Sequence, residues 1–192
     1  GALGMLANAG LLLYGLGALP AGILADRLGG ERILAVWLVG GGLSCLAIAA
    51  AGGPLTLALG LAALGLFASL HHPAGSGLLV ALRDVPAVSV SRAFGLVGLL
   101  GNWGLGTAPL VAGAIGAAWG WRQAFLAGAV PALLLGACLW RRPRLAAPAA
   151  PKQGSWGIPW RELPVPLRLL FALETVVGFV FQGFATFLPA HL

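Results

Sequence analysis

The chain has 192 residues, of which 59% are hydrophobic and only 8% are charged, and its mean hydropathy is +0.96. Because a soluble domain carries roughly 25% charged residues, this composition excludes a soluble enzyme and a disordered chain. The net charge of +6 does not indicate a nucleic-acid-binding protein, since the sequence offers no soluble basic face. The composition predicts an all-α integral membrane protein.

Charged and turn residues divide the chain into six apolar segments, each long enough for the about 20 residues that a membrane-spanning helix needs. The segments cover residues 1–25, 32–51, 55–82, 93–118, 123–140 and 165–189. They show no period-two alternation and are too long for strands. We therefore expect six transmembrane helices, with one long polar stretch at residues 141–164 between the fifth and the sixth.

The basic residues are distributed unevenly between the two sides of these helices. Ten of the 11 basic residues fall in loops or segment ends on one side, and Arg122 alone falls on the other. Basic residues accumulate on the cytoplasmic side of membrane proteins. We therefore expect loops 26–31, 83–92 and 141–164 in the cytoplasm. The short loops and the alanine-, glycine- and leucine-rich composition favour a bacterial inner membrane.

The first predicted cytoplasmic turn carries a charged motif, Gly22-x-x-x-Asp26-Arg27-x-Gly29-x-x-Arg32. A carboxylate at Asp26 is suited to capping the helix that follows, and Gly29 permits a tight turn. The motif resembles the loop between helices two and three of the major facilitator superfamily of membrane transporters. The resemblance implies a conformational latch that stabilises one transport state.

Asp84, at the end of the third segment, is the expected partner of this latch. Its carboxylate can pair with Arg27 or Arg32. Glu31 stands where the superfamily commonly has a basic residue, which predicts a weaker or differently paired latch.

A second pattern lies in the fourth segment, where Gly95, Gly104, Pro109 and Gly113 match the spacing of the superfamily's antiporter motif. A proline in a membrane helix frees a backbone carbonyl and permits bending, and small residues let helices approach closely. Taken alone, the pattern fits a glycine-rich packing face equally well. Combined with the first motif, it favours export over uptake.

The turn Gly120-Trp121-Arg122, followed by Phe125, is similar to the superfamily's G-W-R-x-x-F. The resemblance therefore runs along the whole chain and matches family helices two to seven of twelve. It implies a fragment whose partners are the missing transporter helices. By this match the chain contains helices two to six of the N-terminal half, the central cytoplasmic linker and the first helix of the C-terminal half, at residues 1–140, 141–164 and 165–192.

Ionisable groups at membrane depth are costly and mark transport pathways. His71, His72 and Glu174 are such groups, and both side-chain types can exchange a proton near neutral pH when their surroundings favour it. His71 stands where many antiporters carry an arginine, and the His-Pro sequence resembles the fosmidomycin-resistance branch of the superfamily. A structural role remains open for all three, as hydrogen-bonding groups within the bundle. Asn102 is the best uncharged candidate for a substrate-binding group.

These observations predict a secondary transporter that works by alternating access, with efflux of a drug or metabolite coupled to protons. Proton-coupled uptake of a sugar, organic acid or nucleoside is the alternative. An intramembrane enzyme using His71, His72, Ser69 and Ser76 is an alternative of another class, but the sequence has no HExxH or GxSxG motif. The expected partners are a small-molecule substrate, protons and the lipid bilayer. No nucleic acid, cofactor or metal is expected, since the two cysteines fit no metal motif.

Overall fold

A computed structural model describes residues 2–81, 83, 89–141, 164, 165 and 173, with side chains from residue 8 onward. The chain divides into two compact units, Gly1–Lys152 and Gln153–Leu192, and the described helices belong to the first. These helices are α1 (Ala2–Leu28), α2 (Gly30–Ala49), α3 (Pro54–Ala68), α4 (His71–Ala81), α5 (Val90–Trp119) and α6 (Trp121–Arg141).

Five helical spans in the described residues are long and apolar enough to cross a membrane. They are Asn8–Leu28, Gly30–Ala49, Pro54–Ala81, Val90–Trp119 and Trp121–Arg141. These spans coincide with the first five predicted segments, and the prediction of an all-α membrane fold is confirmed. The sixth predicted segment at residues 165–189, and the linker beyond its first residue, lie almost entirely outside the described residues.

The turn between α1 and α2 differs from the prediction in one respect. The helix α1 continues through Asp26 to Leu28, and α2 begins at Gly30 after the N-cap residue Gly29, which makes no side-chain capping hydrogen bond. The prediction that Asp26 caps the following helix is therefore wrong, because Asp26 lies in the last turn of the preceding one. The tight turn expected at Gly29 is confirmed by its φ of 91°, a backbone conformation that glycine adopts without strain.

The third predicted segment is a single apolar run in the sequence, but it forms two helices. Pro73 has no backbone N–H, and its ring clashes with the carbonyl group four residues earlier. The chain tightens just before it, where the Leu70 N–H donates to Phe67 O at 3.1 Å, three residues back instead of four. This break separates α3 from α4 and places His71 and His72 in the first turn of α4.

The most central of the described helices is α2, which contacts α1, α3, α4 and, most extensively, α6. Small residues permit the close contact with α6. A Cβ added at Gly42 would lie 2.7 Å from the Leu133 side chain, and one added at Gly136 would lie 2.8 Å from the Val39 side chain. The predicted role of glycine in close helix packing is confirmed for the contact between α2 and α6.

By contrast, α5 has no buried residue and contacts α6 and, to a small extent, α4. Nothing in the described part of the chain lies within 4 Å of a Cβ added at Gly95, Gly98, Gly101, Gly104 or Gly113. The close packing predicted for the motif glycines Gly95, Gly104 and Gly113 is therefore not made by the described helices.

The contact of α1 with α3 gives a test of this packing. A Cβ added at Gly10 would lie 2.6 Å from Leu61 O, whereas nothing lies within 4 Å of one added at Gly15 on the same helix. We expect Gly10→Ala to lower the free energy of unfolding by ~1–3 kcal/mol because of overpacking. The matched Gly15→Ala should be neutral or stabilising, since alanine favours helix. Thermal unfolding in detergent measures both, and equal effects of the two variants would contradict the α1–α3 contact.

Candidate functional site

Four rings meet at the break between α3 and α4. The Trp37 ring of α2 lies 4.3 Å from that of His71, centroid to centroid, with an interplanar angle of 42°. The His71 and His72 rings are 4.8 Å apart, and Tyr14 of α1 lies 6.5 Å from His72 in a T-shaped arrangement. These four side chains, called the ring row below, join α1 to α2 through the first turn of α4.

Small residues of α1 allow this arrangement. A Cβ added at Gly17 would clash with the Ser69 side chain at the helix break, and one added at Gly22 would lie 3.7 Å from Pro73. Gly22, which the sequence assigned to the latch motif, therefore also lies against the broken helix. A larger side chain at Gly17 would push the helix break away from α1, whereas the distance at Gly22 is that of an ordinary van der Waals contact.

The ring row lies at membrane depth, and its exposed side, formed by His72 and Tyr14, is called its open edge. The break falls near the middle of the 28-residue span Pro54–Ala81, while Trp37 and His71 are partly buried and His72 and Tyr14 are exposed. Imidazoles in this position can accept or release a proton, or hydrogen-bond to a polar ligand. Among the described residues, no group of three or more histidine, cysteine, aspartate or glutamate side chains is placed to hold a metal ion.

Among the described residues, Asn102 and the antiporter-type motif are not brought to the ring row. The Asn102 side-chain amide donates to Gly98 O at 2.8 Å, within its own helix α5. The antiporter-type motif also lies along α5, which continues through Pro109 without a break. Glu174 and Asp84 lie outside the described residues.

The latch residues lie where the sequence predicted a charged turn. Asp26 and Arg27 are exposed in the last turn of α1, and Arg32 is exposed in the first turn of α2. Because Asp84 lies outside the described residues, the pairing of the latch stays a prediction.

A contact that sequence reasoning missed lies at the other end of α2. The Arg122 Nη2 atom donates to Ala51 O at 2.9 Å, just past the C-terminus of α2. The Arg122 guanidinium lies 4.4 Å from the Trp121 ring centroid, and that ring meets Phe125 edge-on at 6.2 Å. Gly120 ends α5 with a φ of 94°. The G-W-R-x-x-F motif was the available signal, and it forms a clamp between the start of α6 and the end of α2.

Comparison with known proteins is consistent with this architecture. The sequence profile of the Major Facilitator Superfamily matches residues 1–192. The chain belongs to the Major Facilitator Superfamily. It is 37% identical over 129 residues to puromycin resistance protein pur8 of Streptomyces alboniger, an alignment that covers 67% of the chain and 24% of that relative. The chain thus spans about a quarter of the length of the relative. No solved structure gives a significant match.

Membership of the superfamily confirms the resemblance drawn from the sequence motifs, and with the five apolar spans it identifies a multi-pass membrane protein. The fosmidomycin-resistance branch stays a prediction. The ring row is the part of this superfamily chain in which titratable groups, a helix break and an open edge coincide. It is therefore the best candidate for a functional site within the described residues.

The clamp at Arg122 can be tested by its effect on stability. Arg122→Gln removes a cation that bonds a carbonyl at the end of α2, where positive charge is favoured. We expect a loss of about 1 kcal/mol in the free energy of unfolding, since the side chain is largely exposed and its charge is screened. Arg141→Gln at the far end of α6 is the control and should cost less. A larger loss for Arg141→Gln than for Arg122→Gln would contradict the clamp.

Proposed function

We propose that the chain forms part of a secondary transporter of a bacterial inner membrane that exports a drug or metabolite in exchange for protons. The observation that carries the proposal is the pair His71 and His72, in ring contact at the middle of a broken membrane span. The transport cycle is alternating access, in which helical halves rock around a site near the midplane.

The helix break supports a transport role for this position. Discontinuous helices bring backbone ends and side chains together at membrane depth, where transporters hold substrates and ions. A histidine at such a position is costly to bury, yet it can change its charge between pH 5 and 8. A polar group with only a structural role would not need to change its charge in this pH range.

Two observations support export rather than uptake. The residues Gly95, Gly104, Pro109 and Gly113 of α5 match the spacing of the superfamily's antiporter motif. In addition, the relative pur8 is described as a puromycin resistance protein. Puromycin is therefore the first compound to test as an exported substrate.

Two further residues enter the proposal from the sequence. Glu174 is proposed as a second proton-coupling group, because a carboxylate within an apolar segment is costly unless it has a function. Asn102 is proposed to contact substrate after release of its amide from the carbonyl of Gly98. Both roles need the remaining helices of a twelve-helix fold as partners.

The coupling role predicts a separation of two transport modes. In liposomes that contain the protein of the full reading frame, His71→Asn combined with His72→Asn should abolish puromycin transport driven by a pH gradient. Substrate exchange without a gradient should remain, because exchange needs no net proton movement. Glu174→Gln should behave in the same way if it shares the coupling role.

The remaining histidine provides a control, since His191→Asn should leave gradient-driven transport unchanged. Gradient-driven transport that survives the double histidine substitution with an unaltered pH dependence would exclude the pair as the coupling site. Accumulation of puromycin on the side opposite to that expected for export would exclude the efflux hypothesis and favour uptake.

The proposed orientation can be measured by cysteine labelling. In a variant without Cys45 and Cys138, we expect Gly52→Cys to react with a membrane-impermeant maleimide added outside whole cells. Ser91→Cys, in the first turn of α5, should react only after the cells are opened, because its neighbouring loop carries basic residues that favour the cytoplasm. The reverse labelling pattern would contradict the orientation.

A further inference from the structure

The two histidines of the ring row have different surroundings, because only His71 lies against a tryptophan, Trp37. We propose that Trp37 is a positioning residue that holds the exchanged proton on His71 rather than on His72. This inference rests on the proposed coupling role of the pair, but its principal test does not require transport.

The first step is the geometry of the two imidazoles. The His71 ring centroid lies 4.3 Å from that of Trp37 at an angle of 42°, within the about 6 Å at which an aromatic face attracts a cation. His72 has Tyr14 as its aromatic neighbour outside the pair, at 6.5 Å and nearly perpendicular. His71 is the more buried of the two rings, and burial disfavours its imidazolium. The indole contact offsets this cost at His71, and His72 lacks an equivalent contact.

The second step is the repulsion within the pair. The two rings are 4.8 Å apart, and like charges at this distance repel strongly where water is scarce. Strongly interacting sites lose their protons in two steps that belong to the pair, so between these steps the pair holds one proton. The indole of Trp37 determines which ring holds it.

The third step concerns the titratable groups around the row. Tyr14 is the titratable group that faces the pair from α1, and tyrosine stays neutral between pH 5 and 8. In the described residues, α3 contributes no titratable group. The charged ends of α1 and α2 also meet the first turn of α4, where Ala25, Ile33 and Ala74 pack together and Gly30 lies against Ala74. The other titratable groups of the helices packed against α4 are Asp26, Arg27, Glu31 and Arg32 at these ends, Cys45 about two turns along α2 from Trp37, and Arg92 in the first turn of α5.

Tryptophan fluorescence tests the contact directly, because a protonated imidazole in contact with an indole quenches its emission. We expect the emission of the full-reading-frame protein in lipid nanodiscs to fall between pH 8 and pH 5. This fall should be absent in Trp37→Phe and in His71→Asn, and present in His72→Asn. Trp140→Phe, at the far end of α6, is the control and should retain it.

Two results would overturn the proposal. One is an emission that does not depend on pH in the unsubstituted protein, and the other is a pH-dependent fall that persists in His71→Asn. If the fluorescence behaves as expected but His71→Asn leaves gradient-driven transport intact, the contact stands and the coupling role fails.

Transport variants test whether the indole face matters for the reaction. Trp37→Leu removes the face and should slow gradient-driven transport about tenfold while exchange is retained, whereas Trp37→Phe keeps an aromatic face and should restore most of the rate. An unchanged pH profile in Trp37→Leu would overturn the positioning role. Trp37→Met, which fills a similar volume without a face, replaces the leucine variant if that protein is not recovered from the membrane.

Discussion

In a bilayer every backbone polar group needs a hydrogen-bond partner within the protein, because hydrocarbon supplies none. Pro73 breaks this condition near the middle of a membrane span, since it removes one donor and forces the preceding turn to tighten. At this break the Ser69 hydroxyl donates to Leu66 O at 2.7 Å, so a side chain of the same span satisfies one of the backbone carbonyls. The helix α1 approaches the break closely at Gly17, and Tyr14, about one turn earlier on α1, lies against His72 in the ring row.

Helix packing distinguishes α2, the most central of the described helices, from α5, which has no buried residue. The helix α2 is held at its first residues by the Gly29 turn and at its end by the Arg122 clamp, and small residues bring it close to α6 along its length. The helix α5 carries the motif glycines Gly95, Gly104 and Gly113, yet none of them meets a described neighbour. Small residues permit close packing, but a partner must be present for the contact to form.

Features that depend on a single segment could be predicted from the sequence, whereas contacts between distant segments could not. The five described spans were predictable because hydropathy is a property of each segment alone, and the Gly29 turn because only glycine suits that backbone. The end of α1 differs from the prediction because the pair Asp26-Arg27 marks a membrane boundary and not a helix boundary. The helix therefore continues through Asp26 to Leu28. The break before Pro73 was hidden within one apolar run. The contact of Trp37 with His71 joins residues 34 positions apart, and no local pattern reveals it.

The chemistry of position 71 sets this chain apart from the antiporters it resembles. An arginine there keeps its charge at every physiological pH, so it can influence a neighbouring acid but cannot carry the proton itself. A histidine can carry the proton and release it. In the proposed cycle the proton therefore resides on α4, at the helix break, where binding of a charge also changes the contact with α1 and α2. In this proposal the ring row is the proton site on α4, Glu174 is the second coupling group, and the four rings are also one of the contacts between α1, α2 and α4.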